Sequence, residues 1–93
     1  MAKGGARKKV LTVLNTLGLH ARPATLFART AGRFGASVTV RKDGQTINGK
    51  SVLNLMMLAA EEGSVLEVSA DGDDSAEALD ALEALLKEKF GED

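Results

Sequence analysis

Cysteine, tryptophan and tyrosine are missing from this chain, and proline and histidine occur once each. Without cysteine there is neither a disulfide nor a thiolate metal centre, and a reducing compartment is the expected setting. One histidine adds too few ligands for a zinc site, so no metal is expected, and no cofactor motif is present. Three phenylalanines are the only aromatics, so the core must be aliphatic and there is no platform of rings on which nucleic-acid bases could stack. No apolar run approaches the roughly 20 residues that cross a bilayer. The stretch Met1–Lys9 is basic, but Thr12, Asn15 and Thr16 interrupt the apolar residues after it, so it does not lead into a signal core. The expectation is one cytoplasmic domain over residues 1–93, with residues 1–6 a flexible tail and no membrane insertion.

What is present is distributed unevenly. The net charge is −1, yet residues 1–50 hold ten Lys/Arg against the single acid Asp43, and residues 51–93 hold twelve acids against Lys87 and Lys89. In a domain of 93 residues such a split can give one basic and one acidic face. An acidic partner or an anionic ligand then suits the basic one.

The pattern along the chain alternates between strand and helix periods. Residues 8–14 are rich in β-branched and apolar side chains and predict a strand. Residues 21 to about 33 carry a helical stripe of Leu26, Phe27, Ala31 and Phe34, with Arg29 and Arg33 together on another face; Gly32 and Gly35 end it. Residues 36–41 alternate as a strand, Asp43-Gly44 signals a hairpin, and residues 45–48 form its return. Ser51 is a suitable N-cap for a short helix from Val52 to Ala60 that is apolar nearly all round. A helix on a small sheet cannot bury its whole circumference, so Val52 or Leu53, with Met56, should be exposed and mark a docking surface. Residues 65–70 predict a strand. Asp74 and Glu77 have the spacing of a capping box, and residues 75–90 predict a helix that buries Leu79, Leu82, Leu86 and Phe90 and turns Asp80, Glu83 and Glu88 to water. The order is βαββαβα. It suggests an α+β domain of two layers, a four-stranded antiparallel or mixed sheet with its helices on one side.

Two spots carry chemistry. The lone histidine lies in Gly18-Leu19-His20-Ala21-Arg22-Pro23-Ala24. Pro23 suits the first turn of a helix, which puts His20 at or just before a helix N-terminus, where backbone N–H groups lack partners. Gly18 allows a sharp turn before it. Arg22 is near enough to fold back over the same place, so an imidazole, free amides and a guanidinium can converge on a phosphoryl group. The second spot is Asn48-Gly49-Lys50-Ser51-Val52. A serine capping a short exposed helix is accessible to phosphorylation, and a phosphate there would set negative charge beside the apolar patch.

Together the run Gly18 to Ala24 and the run Lys50-Ser51-Val52 resemble HPr, the histidine-containing phosphocarrier family of the bacterial phosphoenolpyruvate-dependent sugar phosphotransferase system. The resemblance covers about Lys8 to Phe90 and includes the element order and the spacing of the two motifs. It implies an open-faced βαββαβα sandwich with a mostly antiparallel four-stranded sheet and three helices on one face. It implies that His20 accepts a phosphoryl group on Nδ1 from enzyme I and passes it to A-type components of the sugar-specific enzymes II, while Arg22 steadies the phosphate. Ser51 would be the regulatory site of an HPr kinase/phosphorylase. Ala21, Val52, Leu53 and Met56 would belong to the docking face. Such a protein is a carrier, not an enzyme.

Two other readings stand beside it. A regulatory paralogue, of a nitrogen-type relay or of catabolite control, would use the same surface with little role in sugar uptake. A small nucleic-acid-binding domain is suggested by the basic half and by Gly32-Arg33-Phe34-Gly35, which has the spacing of a KH loop. That segment reads more simply as a helix stop, and no nucleic-acid partner is expected. A free-standing enzyme is disfavoured because the sequence shows no acid or nucleophile beside His20.

Overall fold

The computed structural model describes residues 6–92. The β-rich segments form β1 (Ala6–Thr12), β2 (Ser37–Lys42), β3 (Gln45–Asn48) and β4 (Val65–Asp71). They make one sheet in the order β1-β4-β2-β3, and every neighbouring pair is antiparallel. The helices are α1 (Ala21–Gly32), α2 (Val52–Met57) and α3 (Ser75–Lys87), followed by a 3-10 turn at Lys89–Gly91. This is the open-faced sandwich expected, with the mixed-sheet alternative excluded.

The strand alternation sorts the sheet's two faces. Leu11, Val38, Val40, Leu66, Val68 and Ala70 point inward and are buried with Phe27, Ala31, Leu55, Leu79, Leu82 and Leu86 from the helices in one cluster. The register opposes Leu11 to Leu66 and Val40 to Val68. Apolar pairs thus stack across strands that are distant in sequence, which locks the register because a one-residue slip would turn them to water. The outer face carries Lys8, Val10, Thr39, Arg41 and Glu67 and is not covered. At the β2–β3 hairpin, Asp43 (φ 50°) and Gly44 (φ 82°) both take the left-handed conformation that matches strand twist.

Several boundaries differ from the sequence reading. β1 was expected over 8–14 and runs over Ala6–Thr12, because pairing with β4 extends to Ala6 opposite Asp71. The tail expected over 1–6 thus overlaps β1 at Ala6; residues 1–5 lie outside the described residues. α2 stops at Met57 rather than Ala60, and Ala59 takes a positive φ of 52°. α3 stops at Lys87 rather than continuing to residue 90, since Lys89 (φ 55°), Phe90 (φ 56°) and Gly91 (φ 76°) are all left-handed. Phe90 is nevertheless buried, as its place on the apolar stripe required.

Two polar contacts were not foreseen. Asp74 is the N-cap residue of α3, but its side chain does not cap that helix, so the capping box with Glu77 does not form. Its two oxygens instead accept the Gly35 and Ala36 amides at 2.8 Å each, joining the start of α3 to the turn before β2. Glu83 does not simply face water: it accepts from Lys9 Nζ at 2.6 Å, with Asp80 at 3.0 Å, and ties β1 to α3. Glu83 first, then Asp80, raises the Lys9 ammonium above its ordinary pKa, and Lys9 lowers that of Glu83.

The Gly35 amide above all, with that of Ala36, holds the Asp74 carboxyl below its ordinary value of 3.8. A carboxyl depressed in the folded state adds stability above its unfolded pKa and loses it as pH falls through the folded one. Asp74→Ala should therefore lower the urea midpoint clearly at pH 7. Repeating the measurement at about pH 2–3 should show a smaller gap between variant and wild type.

Candidate functional site

The loop from Val13 to His20 delivers the histidine, and backbone contacts hold it on both sides. Val13 N–H donates to Ser64 O at 2.9 Å, and Val13 O accepts from Gly63 N–H at 2.8 Å. Leu19 N–H donates to Ala60 O at 2.9 Å. That last contact needs Gly18, whose φ is +71° and at which a Cβ would lie 2.3 Å from Ala60 O. Asn15 is fully buried inside the turn and its Nδ2 donates to Gly18 O at 2.8 Å.

His20 leaves this loop as the N-cap residue of α1, in extended conformation (φ −78°, ψ −170°), and its side chain does not cap the helix. The imidazole is 38% exposed, so it faces solvent without being loose. Its own N–H is used by Gly18 O, and Ala24 N–H by His20 O. Pro23 has none to give. The amides of Ala21 and Arg22 are therefore the first-turn donors that no described residue occupies. They project from the helix end where an anion is favoured. Arg22 is exposed and makes no ion pair or hydrogen bond among the described residues, so its guanidinium is available to a ligand.

The sequence reading saw no acid beside His20, and the structure supplies one from 72 residues away. Glu92 Oε2 lies 2.9 Å from His20 Nε2, and Glu92 Oε1 accepts from Asn15 Nδ2 at 3.0 Å. His20 Nδ1 makes no hydrogen bond to any described residue. Neither Asn15 nor Glu92 stood out in the sequence; one reads as a loop residue and the other as one more acid near the C-terminal end.

The second spot is built as expected at its centre. Ser51 is the N-cap of α2, and its Oγ accepts the Asn54 amide at 3.2 Å. Lys50, in contrast, is committed elsewhere: its Nζ donates to Phe34 O at 2.8 Å, near the C-terminal end of α1. Of the expected docking residues, Ala21, Leu53 and Met56 are exposed, while Val52 is half-buried against the core. Met57 and Leu17, not singled out beforehand, are also exposed, at 61% and 71%. Among the described residues no group of three or more His, Asp or Glu side chains is placed to hold a metal, and no helix is long and apolar enough to cross a membrane.

A small open-faced sandwich that displays one half-exposed imidazole at a helix N-terminus suits a group carrier. Comparison with known proteins agrees. The family model for the PTS HPr component phosphorylation site matches residues 7–88. The phosphocarrier protein HPr of Neisseria meningitidis serogroup A is 47% identical over 85 residues, covering 91% of this chain and 96% of that one. The HPr-like protein Crh of Bacillus subtilis is 43% identical, covering 89% and 96%. A crystal structure of HPr from Thermoanaerobacter tengcongensis superposes with a TM-score of 0.90 at 42% identity, covering 94% of this chain and 98% of that one. The chain belongs to the HPr family of phosphocarrier proteins of the phosphotransferase system.

The close approach at Gly18 is testable by itself. Gly18→Ala should destabilise the fold by about 1–3 kcal/mol, since it combines a left-handed backbone with a collision against Ala60 O. Gly32→Ala should leave stability unchanged or slightly higher, because a Cβ there meets nothing within 4 Å. Urea denaturation of the two variants beside wild type reads the contrast.

Proposed function

We propose that His20 is the phosphoryl acceptor of this carrier, taking the group from phosphorylated enzyme I and passing it to A-type components of sugar-specific enzymes II. The observation that carries this reading is the placement of a half-exposed imidazole as N-cap of α1, with Nδ1 unengaged and the Ala21 and Arg22 amides free beside it. Nδ1 attacks phosphorus, and the amides and the Arg22 guanidinium receive the oxygens. These few donors give moderate stabilisation, which suits a group that must be handed on. Departure is easy because the leaving group is neutral imidazole.

Docking follows the same economy. Exposed Leu53 and Met56, with Val52 at their edge and Ala21 beside the histidine, supply a small apolar area. The exposed Arg22 and Arg29 of α1, with Arg33 just past its end, supply a positive field. Such a combination speeds encounter with an acidic partner and lets the complex part quickly. Ser51 is the regulatory site in this reading, acted on by an ATP-dependent HPr kinase/phosphorylase. A phosphate there brings about two negative charges next to Leu53 and opposes an acidic partner. Because Lys50 is held by Phe34 O, it does not offset them without giving up that contact.

A second reading, a regulatory paralogue acting in catabolite control, is supported by the similarity to Crh, which a related solution structure describes as the Bacillus subtilis catabolite repression HPr. Loss of phosphotransferase sugar uptake on deleting the gene favours the first reading, and unchanged uptake the second.

Mixing the protein with phosphoenolpyruvate and enzyme I should add one acid-labile phosphoryl group, read by intact mass, and His20→Ala should take none. Equal labelling of the variant would refute the assignment. With ATP and the kinase, Ser51→Ala should lose the acid-stable label and also unfold more easily by about 1 kcal/mol, the worth of its cap.

A further inference from the structure

Glu92 lies beyond residues 7–88, the span the family model matches, yet its carboxylate is mostly buried against the candidate acceptor. The approach is not that of a loose end. Lys89, Phe90 and Gly91 are left-handed in succession and turn the chain back on itself. Gly91 N–H bonds to Glu88 O at 3.0 Å and Glu92 N–H to Lys89 O at 2.8 Å, and the Phe90 ring is buried in the core. The turn and its apolar anchor deliver the side chain to two side-chain nitrogens at once. Oε1 receives Asn15 Nδ2 at 3.0 Å, and Oε2 meets His20 Nε2 at 2.9 Å.

An ionised carboxylate can accept from both neighbours at once. Asn15 Nδ2 also bonds Gly18 O, which fixes its amide with nitrogen toward Glu92. An ionised carboxylate is acceptor only, so the imidazole nitrogen facing it must carry a hydrogen. A glutamine would offer one acceptor where two donors converge. We infer that Glu92 is a positioning residue for phosphoryl transfer: it holds the proton on His20 Nε2, leaves the lone pair on Nδ1, and opposes the positive charge that the ring gains on phosphorylation.

The inference rests on His20 being the acceptor and extends that assignment to the far side of the ring. As the Nδ1 lone pair forms the N–P bond, the donor's bond to phosphorus breaks and its electron pair leaves with the donor. No proton moves. The ring becomes a phosphoimidazolium whose Nε2–H remains on Glu92. On transfer out, the Nδ1–P electron pair returns to Nδ1 and neutral imidazole is released with its proton still on Nε2. A carboxylate at 2.9 Å interacts more strongly with the charged state of the ring than with the neutral one, so it lowers the barrier to taking up the phosphoryl group, as the orienting acid of a Ser-His-Asp triad stabilises its imidazolium, and it steadies the phosphorylated state until a partner accepts the group.

The test uses the full chain with the histidine ring labelled with nitrogen-15. Wild type should show a protonated Nε2, a pyridine-like Nδ1, and an Nε2–H signal protected from water exchange. Glu92→Ala and Glu92→Gln should lose that protection by about tenfold and accept phosphoryl from phosphorylated enzyme I about tenfold more slowly. Glu88→Gln, at an exposed acid nearby, serves as the control and should match wild type. Backbone amide spectra and urea midpoints of the Glu92 variants show that the fold persists. Ring signals that superpose on wild type, or transfer rates within about twofold of it, would overturn the inference while leaving His20 as acceptor. A wild type that takes up no phosphoryl group would instead refute the acceptor assignment itself.

Discussion

The absence of a side chain at Gly18 is the condition on which the rest of the site depends. Two segments, the loop after β1 and the turn after α2, come within hydrogen-bond distance where Leu19 N–H meets Ala60 O. No other residue type fits a left-handed backbone pressed onto a carbonyl. From that contact the geometry propagates. His20 follows one residue later with its direction set, and α1 begins at the next. The segment following α2, the helix capped by Ser51, therefore braces the loop that presents the imidazole.

Around this point the fold relies on polar groups reaching between elements rather than within them. Asp74 is withdrawn from its own helix to hold two amides before β2, Lys50 reaches the carbonyl of Phe34 near the end of α1, and Lys9 bridges from β1 to two acids of α3. With 93 residues and an aliphatic core, burial is limited, and such clasps set the angles at which the layers meet. The separation of charge in the sequence is also partly consumed this way. Lys9 pairs with Asp80 and Glu83 between sheet and helix, while Arg22 and Arg29 of α1 stay exposed.

Much of this was legible in the sequence because it is local. The strand alternation, the Asp43-Gly44 hairpin, the Ser51 cap and the placement of His20 before a proline-bearing first turn each depend on a few adjacent residues, and each is found. What was missed is long-range. Nothing in the sequence neighbourhood of Asp74 distinguishes a carboxylate that caps its own helix from one that reaches back 38 residues, and the capping-box spacing favoured the wrong answer. Glu92 meets His20 only because the chain reverses after α3, and the apolar stripe through Phe90 suggested a helix that simply continued. Asn15 looked like an ordinary loop residue, since a buried amide with loop partners leaves no periodic trace. The exposure of Met57 beside the expected Leu53 and Met56 is of the same kind: an all-apolar helix does not reveal the full extent of the face the sheet leaves uncovered.

The strand order has a consequence for how the molecule is born. β2 and β3 are joined by a two-residue turn and can pair as soon as they emerge, but β1 and β2 both bond to β4. β4 begins at Val65, so the cationic first half of the polypeptide leaves the ribosome with β1 unpaired and the β2–β3 hairpin apart from it. Contacts that join such distant segments are slow to form. Closure of the sheet, and with it the fixed approach to the His20 loop, must await β4.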